Sequence, residues 1–406
     1  MKKILFKIWK FPKLSETFIV NQVVMAIKLG YEVRILVEEV CDIPQNANQE
    51  LFQKFGLKEK LILEDYNIPE TKKGRLIKAV KLILSRLDLL IPLFRFYRKS
   101  QRKGFFAVFQ FFFYDSIRSF EVMHIQFGTN KYPLDILKKI GFLNCGLITS
   151  FHGHDLYFPI NNKIPNDGYY DNLFETGDFL ICNTPFLKQK LKEINAPESK
   201  IKIIPVAVDT NYFKPDLTKK VNSKIRLVTV GRLETFKGQI WGISCVKELI
   251  NNNNIEIEYL IVGDGSLYPE LHEKVNELNL NQFIKFTGRK SQFEVRNLLQ
   301  SSDIFLMTSV TDPNYGVESQ GLVSAEAQAC GLPVVAFNTG GVKYTLKHEE
   351  TGFLCKEMDM DDFTARTELL IKDPVLRKNM GRKAIKFIEE EYSETSVISK
   401  WKEIYG

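Results

Sequence analysis

Short apolar runs alternate with amphipathic stretches along almost the whole chain. Runs bounded by turn residues read as buried strands, and apolar positions recurring every three or four residues read as helices. Residues 3–9 predict a first strand. Thr17–Leu29 predicts a helix, with Ser15 as its cap and Gly30 as its end. Glu32–Glu38 predicts a second strand, after which residues 40–70 look polar and irregular and residues 71–120 look helical. Val122–Gln126, Leu147–Phe151 and Phe179–Asn183 predict buried strands, followed by a helix over Pro185–Ile194 and a strand at Lys202–Ile204.

Pro205–Pro215 and the lysine-rich stretch 216–224 read as a linker, after which the alternation restarts. Strands are predicted at Ile225–Val230, Ile257–Val262, Ile284–Thr287, Ile304–Thr308 and Pro333–Phe337. Helices are predicted at Gly238–Asn251, Tyr268–Leu278, Phe293–Ser301, Leu322–Cys330, Asp361–Lys372, Pro374–Glu391 and Val397–Tyr405. Strands joined by crossover helices imply parallel sheets. The pattern therefore gives an α/β fold of two Rossmann-like, doubly wound domains. The first covers 1–205 and the second 206–390, with a helix in 391–406.

Composition agrees with this outline. A chain of 406 residues exceeds one ordinary core. The six cysteines show no C-x-x-C and no metal spacing, so reduced thiols are expected. Lys7 and Lys10 interrupt the first apolar run before it reaches signal-peptide length, and no uncharged apolar stretch is long enough to span a bilayer. The net charge of +7 is concentrated: between Thr71 and Lys103 eleven Lys/Arg face one acid, Asp88, so that segment carries +10 and the rest of the chain −3. This segment is either a solvated helix face or a basic amphipathic surface for an anionic membrane. No recognition helix, finger or RNA-binding signature is present, so nucleic acid is not an expected partner.

Candidate chemistry gathers at strand ends. Glu318-Ser-Gln-Gly-Leu-Val-Ser-Ala-Glu326 places two carboxylates around Gly321, ahead of a helix beginning near Leu322. A glycine admits a ligand close to the backbone, and free N–H groups with the helix dipole favour a diphosphate. Val230-Gly-Arg-Leu-Glu-Thr-Phe-Lys-Gly238 carries Arg232 and Lys237 just past a buried strand, where ligands bind in open parallel sheets. Two cations there can neutralise a leaving diphosphate. Val262-Gly-Asp-Gly-Ser266, with Gly263 and Gly265, is either a tight turn or a close approach to the nucleotide. Ser150-Phe-His-Gly-His-Asp155 sets His152, His154 and Asp155 at another strand end, either aimed into a cleft or satisfied in the core. Phe11-Pro-Lys-Leu-Ser-Glu-Thr-Phe18, with Ser15, Glu16 and Thr17, either caps a helix or lines an acceptor side. Thr339-Gly-Gly-Val342 is a further turn, weak on its own. No metal site is expected, and no P-loop, dinucleotide fingerprint or serine elbow occurs.

Taken together these residues resemble the retaining glycosyltransferases of family 4, which have the GT-B fold, over essentially the whole chain. Gly231-Arg232, Lys237-Gly238, Glu318 to Ala327, Gly331 to Val335 and Gly340-Gly341 carry the likeness. The first loop with Ser-Glu-Thr-Phe and Phe151-His-Gly-His-Asp155 are similar to the subgroup acting in colanic acid and amylovoran synthesis. The resemblance implies two domains facing across a cleft, with the helix in 391–406 packing back on the first. It also implies that Arg232 and Lys237 hold the donor diphosphate, that Glu318 touches the transferred sugar, and that His152 lies beside it. Glu326 would bind ribose, with Gly321, Leu322, Val323, Gly263, Gly265 and Arg289 on the donor side and Ser15, Glu16, Thr17 and Asp155 on the acceptor side. No cofactor is implied beyond the donor itself, a UDP- or GDP-sugar. The expected partners are a glycan or glycolipid acceptor and the inner face of the cell membrane. Gln320, where the family usually has Phe, and Pro205-Val-Ala-Val-Asp209 depart from the pattern and leave donor choice open. Paired carboxylates would also suit a glycoside hydrolase, and a non-catalytic sugar-nucleotide-binding protein is a further alternative.

Overall fold

The computed structural model describes residues 1–13, 16–42, 47–216, 218, 224–252, 256–313 and 316–406. It divides into two compact units. The first holds residues 1–182, 190–202 and 404–406, and the second residues 183–189 and 203–403.

The first unit is built on seven strands: β1 (Lys3–Phe11), β2 (Glu32–Val40), β3 (Leu61–Leu63), β4 (Val122–Gln126), β5 (Gly146–Phe151), β6 (Phe179–Cys182) and β7 (Ile201–Ile203). Their order in the sheet is β3-β2-β1-β4-β5-β6-β7. Central strands such as Val122–Gln126 and Leu147–Phe151 are buried along their length, as a sheet covered on both faces requires. The second unit holds β8 (Ile225–Val230), β9 (Ile257–Val262), β10 (Ile284–Gly288), β11 (Ile304–Met307), β12 (Val334–Phe337) and β13 (Gly352–Cys355), in the order β10-β9-β8-β11-β12-β13. The described registers are parallel throughout.

In each sheet the strand order reverses once, between β1 and β4 and between β8 and β11. Loops leaving the carboxyl ends of such strands are where open parallel sheets bind ligands. The site candidates on Gly231–Gly238, on the stretch after β11 and on the loop from His152 to Asp155 all follow these or the adjoining strands.

The structure departs from the sequence reading in several places. Residues 40–70 are not irregular throughout: Ala47–Lys54 is a helix and Leu61–Leu63 an edge strand. Three residues at a sheet edge and a polar eight-residue helix carry too little periodicity to stand out. The helical stretch 71–120 is broken into Lys72–Ser85, Leu90–Lys99 and Phe105–Ser116. Two six-residue helices (Leu134–Lys139 and Asp171–Thr176) and β13 were also not anticipated. The helix Thr17–Lys28 has Glu16 at its cap with no side-chain cap bond, and Ser15, expected to cap it, lies outside the described residues. None of the six cysteines forms a disulfide, and five are buried.

Candidate functional site

In the second unit the chain leaves β8 through Gly231-Arg232 and turns at Thr235–Lys237 before entering the helix Gln239–Asn252. Gly238 closes that turn in the left-handed region (φ +62°), and a Cβ there would lie 2.2 Å from the Thr308 carbonyl. Thr308 Oγ1 donates to the Lys237 carbonyl at 2.9 Å, which ties the turn to the end of β11. The Lys237 ammonium forms an ion pair with Glu318 while both side chains keep a little solvent contact. Arg232 is exposed, its guanidinium 5.8 Å from the Phe236 ring.

Glu318 is held in place by the turn around Gly341. The Gly341 N–H donates to the Glu318 carbonyl at 2.8 Å, and a Cβ on Gly341 would sit 1.8 Å from the Ser319 carbonyl. Next to it Gln320 is buried. Its amide accepts from the Val206 N–H at 2.9 Å and donates to the Val206 carbonyl at 3.0 Å, the two-pronged pairing one strand makes with another. This gives a physical reason for an amide where the family usually has Phe.

Gly321 (φ +81°) then opens the eight-residue helix Leu322–Ala329, with no side chain capping it. The first N–H groups of a helix, here those of Leu322 and Val323, have no acceptor within it. Glu326 lies inside this helix. It keeps partial solvent contact, but its surroundings exclude enough water that burial alone pushes its pKa up to about 8. The two glutamates therefore differ: Glu318 is neutralised by a lysine, whereas no described residue donates a hydrogen bond to the Glu326 carboxyl.

Gly263 and Gly265 meet protein rather than open space. A Cβ on Gly263 would lie 1.9 Å from the Gly231 carbonyl, and one on Gly265 2.4 Å from that of Leu233. Leu233 N–H donates to the Asp264 carbonyl at 3.0 Å. What these glycines visibly do is let the 262–266 turn press against the loop that carries Arg232. Arg289 is exposed just beyond β10.

In the first unit His152 follows β5 and is enclosed by the rings of Phe18 and Phe127, each 4.7 Å away between centroids. His152 Nε2 is 2.9 Å from Gln126 Oε1, and its Nδ1 is buried with no hydrogen-bond partner. Burial, with a smaller contribution from His154, lowers its pKa to about 3, so the ring is neutral. His154 is exposed, its ring against Phe127. Asp155 is buried: one oxygen accepts from the N–H of Gly128 (2.8 Å), the other from those of His152 (3.1 Å) and Gly153 (3.0 Å). Its carboxylate thus organises the backbone around His152. Glu16 pairs with Lys13 at 2.9 Å, and Thr17 begins its helix.

Gln126 and its partner Gln22 were not singled out from the sequence. Both are buried, and Gln126 Nε2 donates to Gln22 Oε1 at 2.8 Å. A signal existed in Val-Met-His-Ile-Gln: two polar side chains, His124 and Gln126, on one face of an otherwise apolar strand. Among the described residues no group of three or more His, Cys, Asp or Glu is placed to hold a metal, and no helix is long and apolar enough to cross a membrane.

Comparison with known proteins bears on the whole arrangement. Residues 213–387 match the family described as glycosyl transferases group 1. The amylovoran biosynthesis glycosyltransferase AmsK of Erwinia amylovora is 27% identical over 380 residues, covering 89% of each chain. The putative colanic acid biosynthesis glycosyltransferase WcaL of Escherichia coli K12 is 26% identical over 362 residues, covering 88% of this chain and 87% of that one. Among solved structures, Anabaena HepE in complex with UDP and glucose superposes with a TM-score of 0.72 at 16% identity, covering 99% of both chains. TarM superposes with a TM-score of 0.72 at 14% identity, over 100% of this chain and 99% of that one. With relatives aligned over most of its length and two parallel sheets that superpose on these structures, the chain carries a glycosyl transferases group 1 domain at 213–387 and has the GT-B fold.

Proposed function

We propose that the protein transfers a sugar, with retention at the anomeric carbon, from a UDP- or GDP-sugar to a lipid-linked glycan acceptor during assembly of a bacterial surface polysaccharide. The observation that carries this reading is the pairing of Lys237 with Glu318 beside a helix opened by Gly321, with Arg232 exposed on the same loop system. Residues 206–390 take the donor and residues 1–205 the acceptor. Lys237, Arg232 and the N–H groups of Leu322 and Val323 hold the diphosphate, and Glu326 accepts from ribose hydroxyls. As the bond from the anomeric carbon to the phosphate oxygen breaks, the cations and helix dipole stabilise the developing negative charge. The departing phosphate takes the acceptor proton, and the acceptor oxygen bonds to carbon on the same face. Glu318 touches the transferred sugar. The two cations suffice for the diphosphate, so EDTA is expected to leave the rate unchanged. Names among the relatives support the acceptor class: one, 29% identical over 226 residues, is a galactosyltransferase acting on GlcNAc-diphosphoundecaprenol.

The basic segment 71–103 seats the enzyme on the anionic inner face of the cell membrane. Its support is an apolar row left exposed among the cations: Leu76, Ile77, Leu84, Leu87, Ile91 and Phe94, with Leu84, Ile91 and Phe94 more than 60% accessible. Ala79, Leu93 and Phe96 turn inward instead. Such a face combines insertion at the acyl boundary with attraction to headgroups. Co-sedimentation with phosphatidylglycerol vesicles is expected in low salt and to fall on Ile91→Asp/Phe94→Asp. Undiminished binding of that variant would remove this surface from the account.

The test of the activity is to offer UDP- and GDP-sugars with a polyprenyl-diphosphate-linked glycan and to read the anomeric configuration of the product by NMR. One donor giving an α-linked product from an α-linked donor is expected. Inversion, or release of free sugar alone, would contradict it.

A further inference from the structure

The fully buried side chains at the end of β4 form a directed set of hydrogen bonds that ends at His152. Gln126 is 0% exposed. Its Nε2 donates to Gln22 Oε1 at 2.8 Å and lies 3.4 Å from His124 Nε2, so its Oε1 is the atom turned to His152 Nε2, at 2.9 Å. His124 is fixed in turn, its Nδ1 2.8 Å from the Tyr405 hydroxyl and its Nε2 2.8 Å from Ser150 Oγ. A carbonyl oxygen can only accept, so the hydrogen shared with it belongs to His152 Nε2. In a neutral imidazole the other nitrogen then carries a lone pair. That nitrogen, Nδ1, is the buried one without a partner. The Phe18 and Phe127 rings on either side leave little freedom for the imidazole to turn.

We propose that Gln126 is a positioning residue that holds His152 as the Nε2–H tautomer, so that Nδ1 is offered as a hydrogen-bond acceptor to a hydroxyl group of the bound sugar. A buried polar atom without a partner is uncommon, and a ligand hydroxyl supplies what Nδ1 lacks. A sugar hydroxyl donates well to such a lone pair, whereas the opposite tautomer would present a donor. Gln126 acts only through His152. The ligand half of this inference rests on the sugar-transfer reading above; the tautomer half does not.

The experiment uses the full chain with 15N-labelled histidine. Long-range 1H–15N spectra distinguish a protonated ring nitrogen from one bearing a lone pair, and the His152 signals are identified by their loss in His152→Ala. The wild type is expected to show Nε2 protonated and Nδ1 bare. Gln126→Met, similar in shape and without the amide, is expected to give mixed tautomers. It should also lower kcat/KM for the nucleotide sugar about tenfold, the loss of roughly one hydrogen bond, with UDP or GDP affinity unchanged. Gln126→Glu keeps an acceptor facing Nε2 and is expected to retain the wild-type pattern, provided the Gln22 amide turns to donate toward it. An Nδ1–H tautomer in the wild type, or an unaltered tautomer in Gln126→Met, would overturn the proposal whatever the activity. A correct tautomer shift in a protein that transfers no sugar would instead count against the sugar-transfer reading alone.

Discussion

The polar groups of the two units are organised in opposite ways. In the second unit the charged groups are only partly shielded, Lys237 against Glu318 and Arg232 exposed, while Glu326 stands alone in its helix with its pKa raised by burial. In the first unit the side chains that meet the His152 ring are neutral, a glutamine amide backed by a second and two aromatic rings, the histidine itself is lowered to a pKa of about 3, and the buried Asp155 carboxylate is met by backbone N–H groups. The difference shows what each end can recognise. Partly exposed cations at a helix start suit a diphosphate, whose charge must be met by charge. A buried neutral network suits hydroxyl groups, where direction matters and an uncompensated ion would be costly.

The sharpest way to break this contrast is to remove a charge from the second unit. Lys237→Ala is expected to lower kcat by about 10²–10³, as loss of one preorganised group on a developing anion does, and to leave the first unit's histidine NMR signals in place. A drop of less than about tenfold would mean the lysine only balances Glu318. Glu326 gives the next effect. Burial raises its pKa from 4.5 to about 8, so between those values the native protein holds a proton that the unfolded chain has released. Stability should therefore fall by up to a few kcal/mol as pH rises from about 4.5 to about 8, and level off beyond. Denaturant titrations at several pH values should show that slope shrinking in Glu326→Gln; an unchanged slope would mean the carboxyl is well hydrated.

Two smaller effects sharpen the structural half. Gly341→Ala has no space beside the Ser319 carbonyl and is expected to cost about 2 kcal/mol while also weakening donor binding, because the loop bearing Glu318 must move. A loss of stability with unchanged donor affinity would separate that turn from the site. Gln320→Ala leaves both polar groups of Val206 without their partner, so about 1.5 kcal/mol is expected in chemical denaturation.

Much of the fold was legible because buried parallel strands are near-continuous apolar runs: Val122–Gln126, Ile257–Val262 and Ile304–Met307 needed only that signal. Leu61–Leu63 and Gly352–Cys355 were not, since three or four residues at a sheet margin take their structure from neighbours distant in sequence. In the site, Lys237 and Glu318 stood out as charges at strand ends. The backbone role of Asp155 was not legible for the same reason: a carboxylate bonded to three backbone N–H groups reads in sequence like one facing a ligand. Gly263 and Gly265 illustrate a related limit, as a glycine marks a close approach without naming what approaches.

The central claim is that the second unit binds a nucleoside diphosphate through its cations and Glu326. The most direct measurement is thermal stabilisation by UDP, GDP, dTDP and ADP in the wild type, Lys237→Ala and Glu326→Ala. A ligand at about 100 times its Kd adds roughly 2.7 kcal/mol to the folded state. The account predicts that one nucleotide raises the wild-type Tm and that both variants lose most of the shift. No shift with any nucleotide at millimolar concentration, or a shift that both variants keep, would contradict it.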